Sequence, residues 1–493
     1  MDFPIVLAPN SKLPLSRQLI IELRRSIVQG RLSPGQPLPS SRELAESLSL
    51  SRSTVIKAYR RLLAEGILET QVGSGTYVKR GLTLAKSQKR LTAAQTPSPD
   101  KGKIQAPEHL SNLSRAILDV EIVQAQHVGA PNLNFGCCAA DLLPGRQWRE
   151  LFARHCRSLN VPRPASDNEV FGYRPLREAL AAFLRRAKAV DCRAEQIIVF
   201  SGSQNVLYFI ASLLVNRDDI VVVENPSYAG TRSILKARGA ELKAVDVDED
   251  GLAVEALAAI EENCKLACVS LSHQDPTGAI LSMERRKKLI DWAREHQAYI
   301  VEDAWDSDYH YGHPALPALQ GLDSARVLYT YSFWKVLFPI VTAGILVVPE
   351  HLIELFTRAK IMLERPFAPI EHYALADFIA AGDFECHLGR SRAIYESRRQ
   401  ALIFNLTSHL HGVVEIPRYS AGLHQLLRFQ TDLSAEQILH CANSARLPMV
   451  STSSYYARDS VPLEFLLPFG SLDKVSIARK IADFAEHIRS IHP

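Results

Sequence analysis

Residues 37–66 read PLPSSRELAESLSLSRSTVIKAYRRLLAEG, and this stretch decides the fold of the N-terminal part of the chain. Pro37 and Pro39 cannot sit inside a helix, so a new helix starts at Ser40 or Ser41, either of which can cap it. Arg42 and Glu43 fall in its first turn, and Leu44, Ala45 and Leu48 supply its buried face. The break at Ser49-Leu50 ends it. Ser51 caps the next helix, Arg52 to Ala64, with Val55, Ala58, Tyr59 and Leu62 pointing inward. Two short helices across a tight turn follow the helix-turn-helix plan.

Working outward, Leu15, Leu19, Leu23 and Ile27 recur at helical spacing before Gly30, which predicts a preceding helix. Downstream, Ile67 to Val72 alternates, Gly73-Ser74-Gly75 can turn, and Thr76-Tyr77-Val78 returns as a strand, so a small hairpin forms a wing. A recognition helix offers its N-terminal residues to base edges, so Arg52, Ser53, Thr54 and Lys57 are the candidates for reading sequence. Arg42, Ser51, Gly73 and Ser74 are better placed for phosphates. The blander reading is a solvated basic surface. Charge favours double-stranded DNA as the partner: residues 1–103 carry 17 Lys+Arg against 7 Asp+Glu, so a net charge of +4 overall leaves −6 for the rest.

At 493 residues the chain is too long for one core, and its 47% hydrophobic content excludes wholesale disorder. The eight cysteines form no C-x-x-C pair and read as reduced, mostly buried thiols. Cys264 and Cys268 could share a helix face or a short strand, without a second pair to make a metal site. Absence of a signal peptide and of a long apolar run predicts a cytoplasmic protein without a membrane span. Residues 80–108, rich in Lys, Arg, Ser, Thr and Pro, read as a flexible tether. The expected layout is a winged domain over 13–81, a basic linker over 82–111 and a large domain over 112–493.

Beyond residue 112, apolar runs at 197–200, 220–223, 266–271, 298–303, 326–332 and 343–349 alternate with helical stretches. This predicts an α/β domain around a buried, mainly parallel sheet, whose ligands bind at the carboxyl ends of the strands. Ser201-Gly202-Ser203-Gln204 follows the first run and opens a helix, so it can hold a phosphate. Tyr228 offers a flat ring, Ser272 to Gly278 forms a polar turn, Asp303 closes a strand, and Lys335 follows Ser332-Phe333-Trp334. A phosphate cradle, an aromatic, an acid and a partly enclosed lysine are the parts that pyridoxal phosphate needs.

Two resemblances sharpen this. PGQPLPSSRELAESL, SRSTVIKAYRRLLAEG and GSGTYV resemble the winged-helix domain of the GntR family of bacterial regulators, which implies that Arg42, Ser51, Arg52, Thr54 and Gly73 touch DNA. FGYRPLREAL, SGSQNVL, ENPSYAGTR, SHQDPTG, VEDAWDSDYHY, PALPALQGLD and AGLHQLL resemble the fold-type I aminotransferase domain of MocR-type regulators. That resemblance implies pyridoxal phosphate on Lys335, Asp303 at its ring nitrogen, Tyr228 stacked on the ring, and Ser201, Ser203 and Ser332 near the phosphate. It also implies a homodimer; the favoured reading is a regulator that senses pyridoxal phosphate, an amino acid or an amine, and departures from the family pattern argue against physiological turnover. The alternatives are an active aminotransferase carrying a DNA-binding module, and a regulator whose second domain is a cofactor-free dimerisation scaffold. Departures from the pattern bear on these. Trp305 stands where a Tyr would bond the phenolic oxygen, Trp334 replaces the Ser of a Ser-Lys pair, and Thr342 replaces a phosphate-binding Arg. No Arg precedes Leu467-Pro468-Phe469, where aminotransferases often hold the substrate carboxylate.

Overall fold

Ser40 accepts a hydrogen bond from Glu43 N while the Glu43 side chain returns to Ser40 N, so a reciprocal cap starts helix α2 (Ser41–Ser47). Helices α1 (Leu15–Val28) and α3 (Arg52–Ala64) flank it, and strands β1 (Leu68–Gln71) and β2 (Gly75–Val78) pair antiparallel. Leu19, Leu23, Leu44, Val55, Ala58 and Leu62 pack in one core, as their periodicity predicts. Tyr59 donates its hydroxyl to Pro39 O at 2.8 Å, and Arg24 and Arg61 both pair with Glu65, which fixes α3 against the turn and α1.

This computed structural model describes residues 13–28, 30–71, 75–79, 111–119, 138–157, 170–311, 316–364, 370–417, 422–457 and 461–491. It divides into units Met1–Lys103 and Ile104–Pro493. The linker expected over 82–111 lies outside the described residues except at its last position.

The larger unit opens with α4 (Asn112–Asp119), α5 (Gly145–Arg157) and α6 (Arg174–Lys188). Its main sheet alternates with helices: β3 (Ile197–Phe200), α7 (Ser203–Leu214), β4 (Ile220–Asn225), α8 (Ala229–Ala237), β5 (Glu241–Asp248), β6 (Gly251–Leu252), β7 (Cys264–Val269), α9 (Met283–Glu295) and β8 (Tyr299–Asp303). It closes with β9 (Val327–Ser332), α10 (Trp334–Leu337) and β10 (Gly344–Val347). The strand order is β3-β10-β9-β8-β7-β4-β5-β6. Neighbours from β5 to β9 are parallel, whereas β10 runs antiparallel to both β3 and β9, so the sheet is mixed around a parallel centre.

Alternate residues of one strand enter opposite cores. Ile198 and Phe200 join one cluster while Ile197 and Val199 join another. Burial on both faces is why these strands read as continuous apolar runs. The half-buried, alternating β5 and the short β6 escape that signal.

Helices α11 (Ile353–Leu363), α12 (Ile370–Ala380) and α13 (Asp383–His409) lead to a second, antiparallel sheet in the order β11-β12-β14-β13. Its strands are β11 (Val414–Glu415), β12 (His424–Phe429), β13 (Val450–Ser451) and β14 (Glu464–Pro468), with helices α14 (Ala435–Ser444) and α15 (Lys474–Ile491) beside them. Of the seven described cysteines three are buried, two are half-buried and two, Cys156 and Cys386, are exposed, so the expectation of mostly buried thiols is corrected. Cys264 and Cys268 lie four apart on strand β7, and no metal-binding cluster of His, Cys, Asp or Glu occurs among the described residues. No helix among them is long and apolar enough to cross a membrane.

Lys188, at the end of α6, anchors the segment that follows β8. Its Nζ lies 2.7 Å from Asp308 Oδ1 and donates to Ser307 O at 2.6 Å, while Tyr331 donates its hydroxyl to Asp308 Oδ2 at 2.8 Å. The pair is nearly dry, with side-chain exposures of 10% and 5%. Removing the lysine leaves a buried carboxylate without its cation, so Lys188→Met is expected to destabilise the larger unit by about 3 kcal/mol. Denaturant unfolding followed by a tryptophan signal measures this, and a loss under about 0.5 kcal/mol, the level of an ordinary surface change, would contradict it.

Candidate functional site

In the smaller unit, α3 presents its N-terminus outward. Ser51 Oγ accepts from Thr54 N at 3.2 Å and lies 2.9 and 2.7 Å from the hydroxyls of Ser53 and Thr54. Arg52 Nε donates to Ser41 Oγ at 3.3 Å, linking the first turns of the two helices. Among the described residues Arg42 pairs with exposed Glu46, at 3.2 Å, and Lys57 is exposed one turn along α3. Ser51, Arg52, Ser53 and Thr54 therefore gather at the N-terminus of α3, whose dipole attracts phosphate, with Arg42 in the linked first turn of α2 and Lys57 exposed further along α3. Gly73 and Ser74, expected to contact phosphates from the wing, lie outside the described residues.

In the larger unit the expected residues converge at the carboxyl edge of the sheet. Gly344 pairs across β10 with Phe200 on one side and Ser332 on the other. A Cβ on Gly344 would lie 2.5–2.7 Å from the backbone of Gly202 and Ser203, so only glycine lets β10 press against the start of α7. The first N–H groups of α7 have no intrahelical acceptor, and its N-cap, Gly202, contributes no side chain. Ser201 Oγ accepts from Asn205 Nδ2 at 2.7 Å, Ser332 Oγ accepts from Trp334 N at 3.2 Å, and Thr342 O lies 3.6 Å from where a Gly202 Cβ would stand. Ser201, Ser203, Ser332 and Thr342 thus surround an N–H-rich helix end suited to a phosphate.

Beyond this cradle, Tyr228 is 38% exposed and accepts a 2.6 Å hydrogen bond from Gln204 Nε2. Gly230 leaves room for its ring, because a Cβ there would come within 2.4 Å of it. Arg232 holds this wall in place by donating to the carbonyls of Ser227, Ser454 and Tyr455. Asp303 Oδ1, at the end of β8, accepts from Thr330 Oγ1 at 2.9 Å. Burial pushes the Asp303 carboxyl up to about 6, against that hydrogen bond. Lys335 is 6% exposed, and its Nζ stands 4.3 Å from the centroid of the Trp305 ring.

Other groups gather around the lysine whose roles sequence reasoning missed. His273, Trp305 and His424 lie nearly parallel with centroids 5.8–5.9 Å apart, a triangle rather than a column. His273 Nδ1 is 3.5 Å from Asp306 Oδ2, and Gly422 closes over both, since a Cβ there would clash at 2.3–2.4 Å. Burial, then the charges of Lys335 and His273, hold His424 well below the usual histidine range. Burial opposes ionisation of Asp306, yet His273 and the Lys335 charge outweigh it and keep its carboxyl low. Burial pushes Glu224 up to about 8 although Ser270 N and Gln274 Nε2 donate to it. The signal available was an Asp and a His in the SHQDPTG turn and a His in AGLHQLL, motifs whose polar members had no assigned task.

This geometry, a helix-turn-helix in one unit and an aminotransferase-like sheet with a buried lysine in the other, defines a two-part DNA-binding regulator. The family model "Bacterial regulatory proteins, gntR family" matches residues 15–78, and "Aminotransferase class I and II" matches residues 168–431. The chain is 34% identical to the probable rhizopine catabolism regulatory protein MocR of Rhizobium meliloti, over 89% of this chain and 86% of that one. It is 29% identical to the pyridoxine biosynthesis regulator PdxR of Corynebacterium glutamicum, over 99% of each. The larger unit shares its fold with LysN, an α-aminoadipate aminotransferase of Thermus thermophilus, at a TM-score of 0.66 and 24% identity, covering 80% of this chain and 97% of that one. The chain belongs to the MocR-type transcriptional regulators of the GntR family.

Two outcomes follow. Arg52→Ala is expected to cost about 1–3 kcal/mol at the cognate operator and far less on random duplex, measured by fluorescence anisotropy; equal losses would make Arg52 a phosphate contact. Asp275, 6% exposed, is pushed up to about 7 by burial, with Lys335 opposing and Asp306 and Asp303 adding to the rise. An unfolded aspartate titrates near 3.9, so its contribution to stability is full below about pH 4 and is lost as pH rises to about 7. Asparagine has no such dependence. The stability of Asp275→Asn relative to the parent should therefore climb from pH 4 to 7 and level off above, as read by unfolding curves at each pH. A difference that is flat with pH would sink this assignment.

Proposed function

We propose that this regulator holds pyridoxal phosphate on Lys335 and reads the cofactor, or a small amino acid or amine that reacts with it, to change how its winged domain engages operator DNA. The observation that carries this reading is the burial of Lys335 in the same pocket as Asp303, across β10 from the serine-lined N-terminus of α7. Pyridoxal phosphate supplies an aldehyde that bonds amines reversibly and a ring that withdraws electrons. The chain's own residues fit it. Lys335 offers the amine, Asp303 holds a proton at the ring nitrogen, and Tyr228 covers one ring face. Ser201, Ser203, Ser332 and the N–H groups of α7 take the phosphate.

A homodimer is part of this reading. It is supported by an apolar stretch on α11 that faces solvent, with Ile361 at 57%, Met362 at 87% and Leu363 at 62% exposure. Sustained turnover is disfavoured. Trp305 can donate but not accept a hydrogen bond beside Lys335, and Leu466 and Leu467, fully buried, occupy the strand where an enzyme would anchor a substrate carboxylate.

Addition of pyridoxal phosphate to the purified protein is expected to produce a visible absorption band that Lys335→Ala abolishes. Absence of the band in the parent protein would leave the larger unit as a scaffold, and steady release of keto acid from an amino acid would restore the enzyme reading.

A further inference from the structure

The charges around Lys335 do not balance. Asp275 and Asp306 both feel the Lys335 ammonium, Asp303 adds its charge beside Asp275, His273 stands by Asp306, and among the described residues no Arg forms an ion pair with any of the three acids. Asp303 has the Thr330 hydroxyl. Asp306 is 1% exposed; His273 Nδ1 stands 3.5 Å from its Oδ2, at the outer limit of a hydrogen bond, and its Oδ1 has no donor. Asp275 is 6% exposed, and its Oδ1 is sealed from solvent with no donor. The nearby Arg232 spends its Nη1 and Nη2 groups on backbone carbonyls of Ser227, Ser454 and Tyr455.

The uncharged surfaces point the same way. The Trp305 face already receives one ammonium, that of Lys335, and the parallel His273 and His424 rings extend an aromatic lining beside it. On β14 the side chains nearest in sequence to Pro468 are aliphatic, with Leu466 and Leu467 both at 0% exposure. A ligand carboxylate entering here meets like charge in a poorly solvated site, whereas an ammonium or hydroxyl meets Asp275 Oδ1 and Asp306 Oδ1, which lack donors.

We propose that the ligand read by this pocket is an amine without a carboxylate, a diamine or amino alcohol, whose second polar end is received by the Asp275 and Asp306 carboxylates. This rests on the reading of the pocket as a sensor, and it narrows the amino acid or amine of that reading to the amine. The ligand's first amine engages the Lys335 side of the pocket, and the aromatic lining carries the methylene chain between its two ends.

Calorimetric titration of the full chain, with and without pyridoxal phosphate, tests it using 1,5-diaminopentane, L-lysine, 5-aminopentanoate and pentylamine. L-lysine differs from the diamine only by a carboxylate, 5-aminopentanoate exchanges the second amine for one, and pentylamine lacks a second polar end. The diamine is expected to bind at least tenfold tighter than each of the other three, and Asp306→Asn is expected to bring the four within about threefold. Binding of L-lysine or 5-aminopentanoate as tight as that of the diamine would overturn the proposal, as would absence of any heat from the diamine. The parent-protein series decides the matter even where Asp306→Asn fails to fold. A missing visible band with the diamine preference intact removes the cofactor reading and leaves this one standing, and a band with the preference reversed removes this one alone.

Discussion

The larger unit depends on a contact between two backbones. Strand β10 is inserted antiparallel beside β3, and at Gly344 its chain meets Gly202 and Ser203 so closely that no Cβ fits between them. That approach brings the start of α7 and the end of β9 to opposite flanks of one strand. Phosphate-type ligands need N–H groups and hydroxyls from several segments at once, and this crossing supplies them from Ser201, Ser203 and Ser332. Parallel strands β7, β8 and β9 end on the same edge, which is why Asp275, Asp303 and Lys335 share a pocket although 60 residues of chain separate the first from the last.

Much of this was legible in the sequence because the elements that carry it have unambiguous physical signatures. Pro37, Pro39, Ser40 and Ser51 mark helix ends by covalent geometry and capping, and the observed caps are Ser40 and Ser51. The strands around Asp303 and Ser332 are buried on both faces and so were continuous apolar runs. What escaped was structure stabilised by distant partners. Strands β11 to β14 are short or separated by long intervals, and their buried residues Leu427, Phe429, Phe465 and Leu467 share a core with Leu402 of α13 and Ile481 and Phe484 of α15. The carboxylates beside Lys335 escaped for a related reason. An aspartate in a polar turn reads as a turn former, and only tertiary burial turns Asp275 and Asp306 into strong local fields.

The electrostatics of the pocket distinguish it from a surface cleft. Several carboxyls there are displaced upward by burial while Asp306 is held down by its neighbours, so adjacent acids are driven apart in their affinity for protons. Such separation is common where a protein handles charge in a dry space. In this chain it coexists with a tryptophan at the position where the resemblance implies a phenol, so an indole ring rather than a hydroxyl lies against the buried lysine.

Arg232 binds two pieces of chain that lie more than 220 residues apart, gripping the carbonyls at Ser227 on one side and at Ser454 and Tyr455 on the other. Its guanidinium is a flat, rigid fork, and with several of its N–H groups committed it acts as a rivet rather than a hinge. The Tyr228 wall and the Ser454–Tyr455 turn therefore share one anchor. Loss of this one guanidinium would free both segments at once, the wall of the pocket and the turn that follows β13.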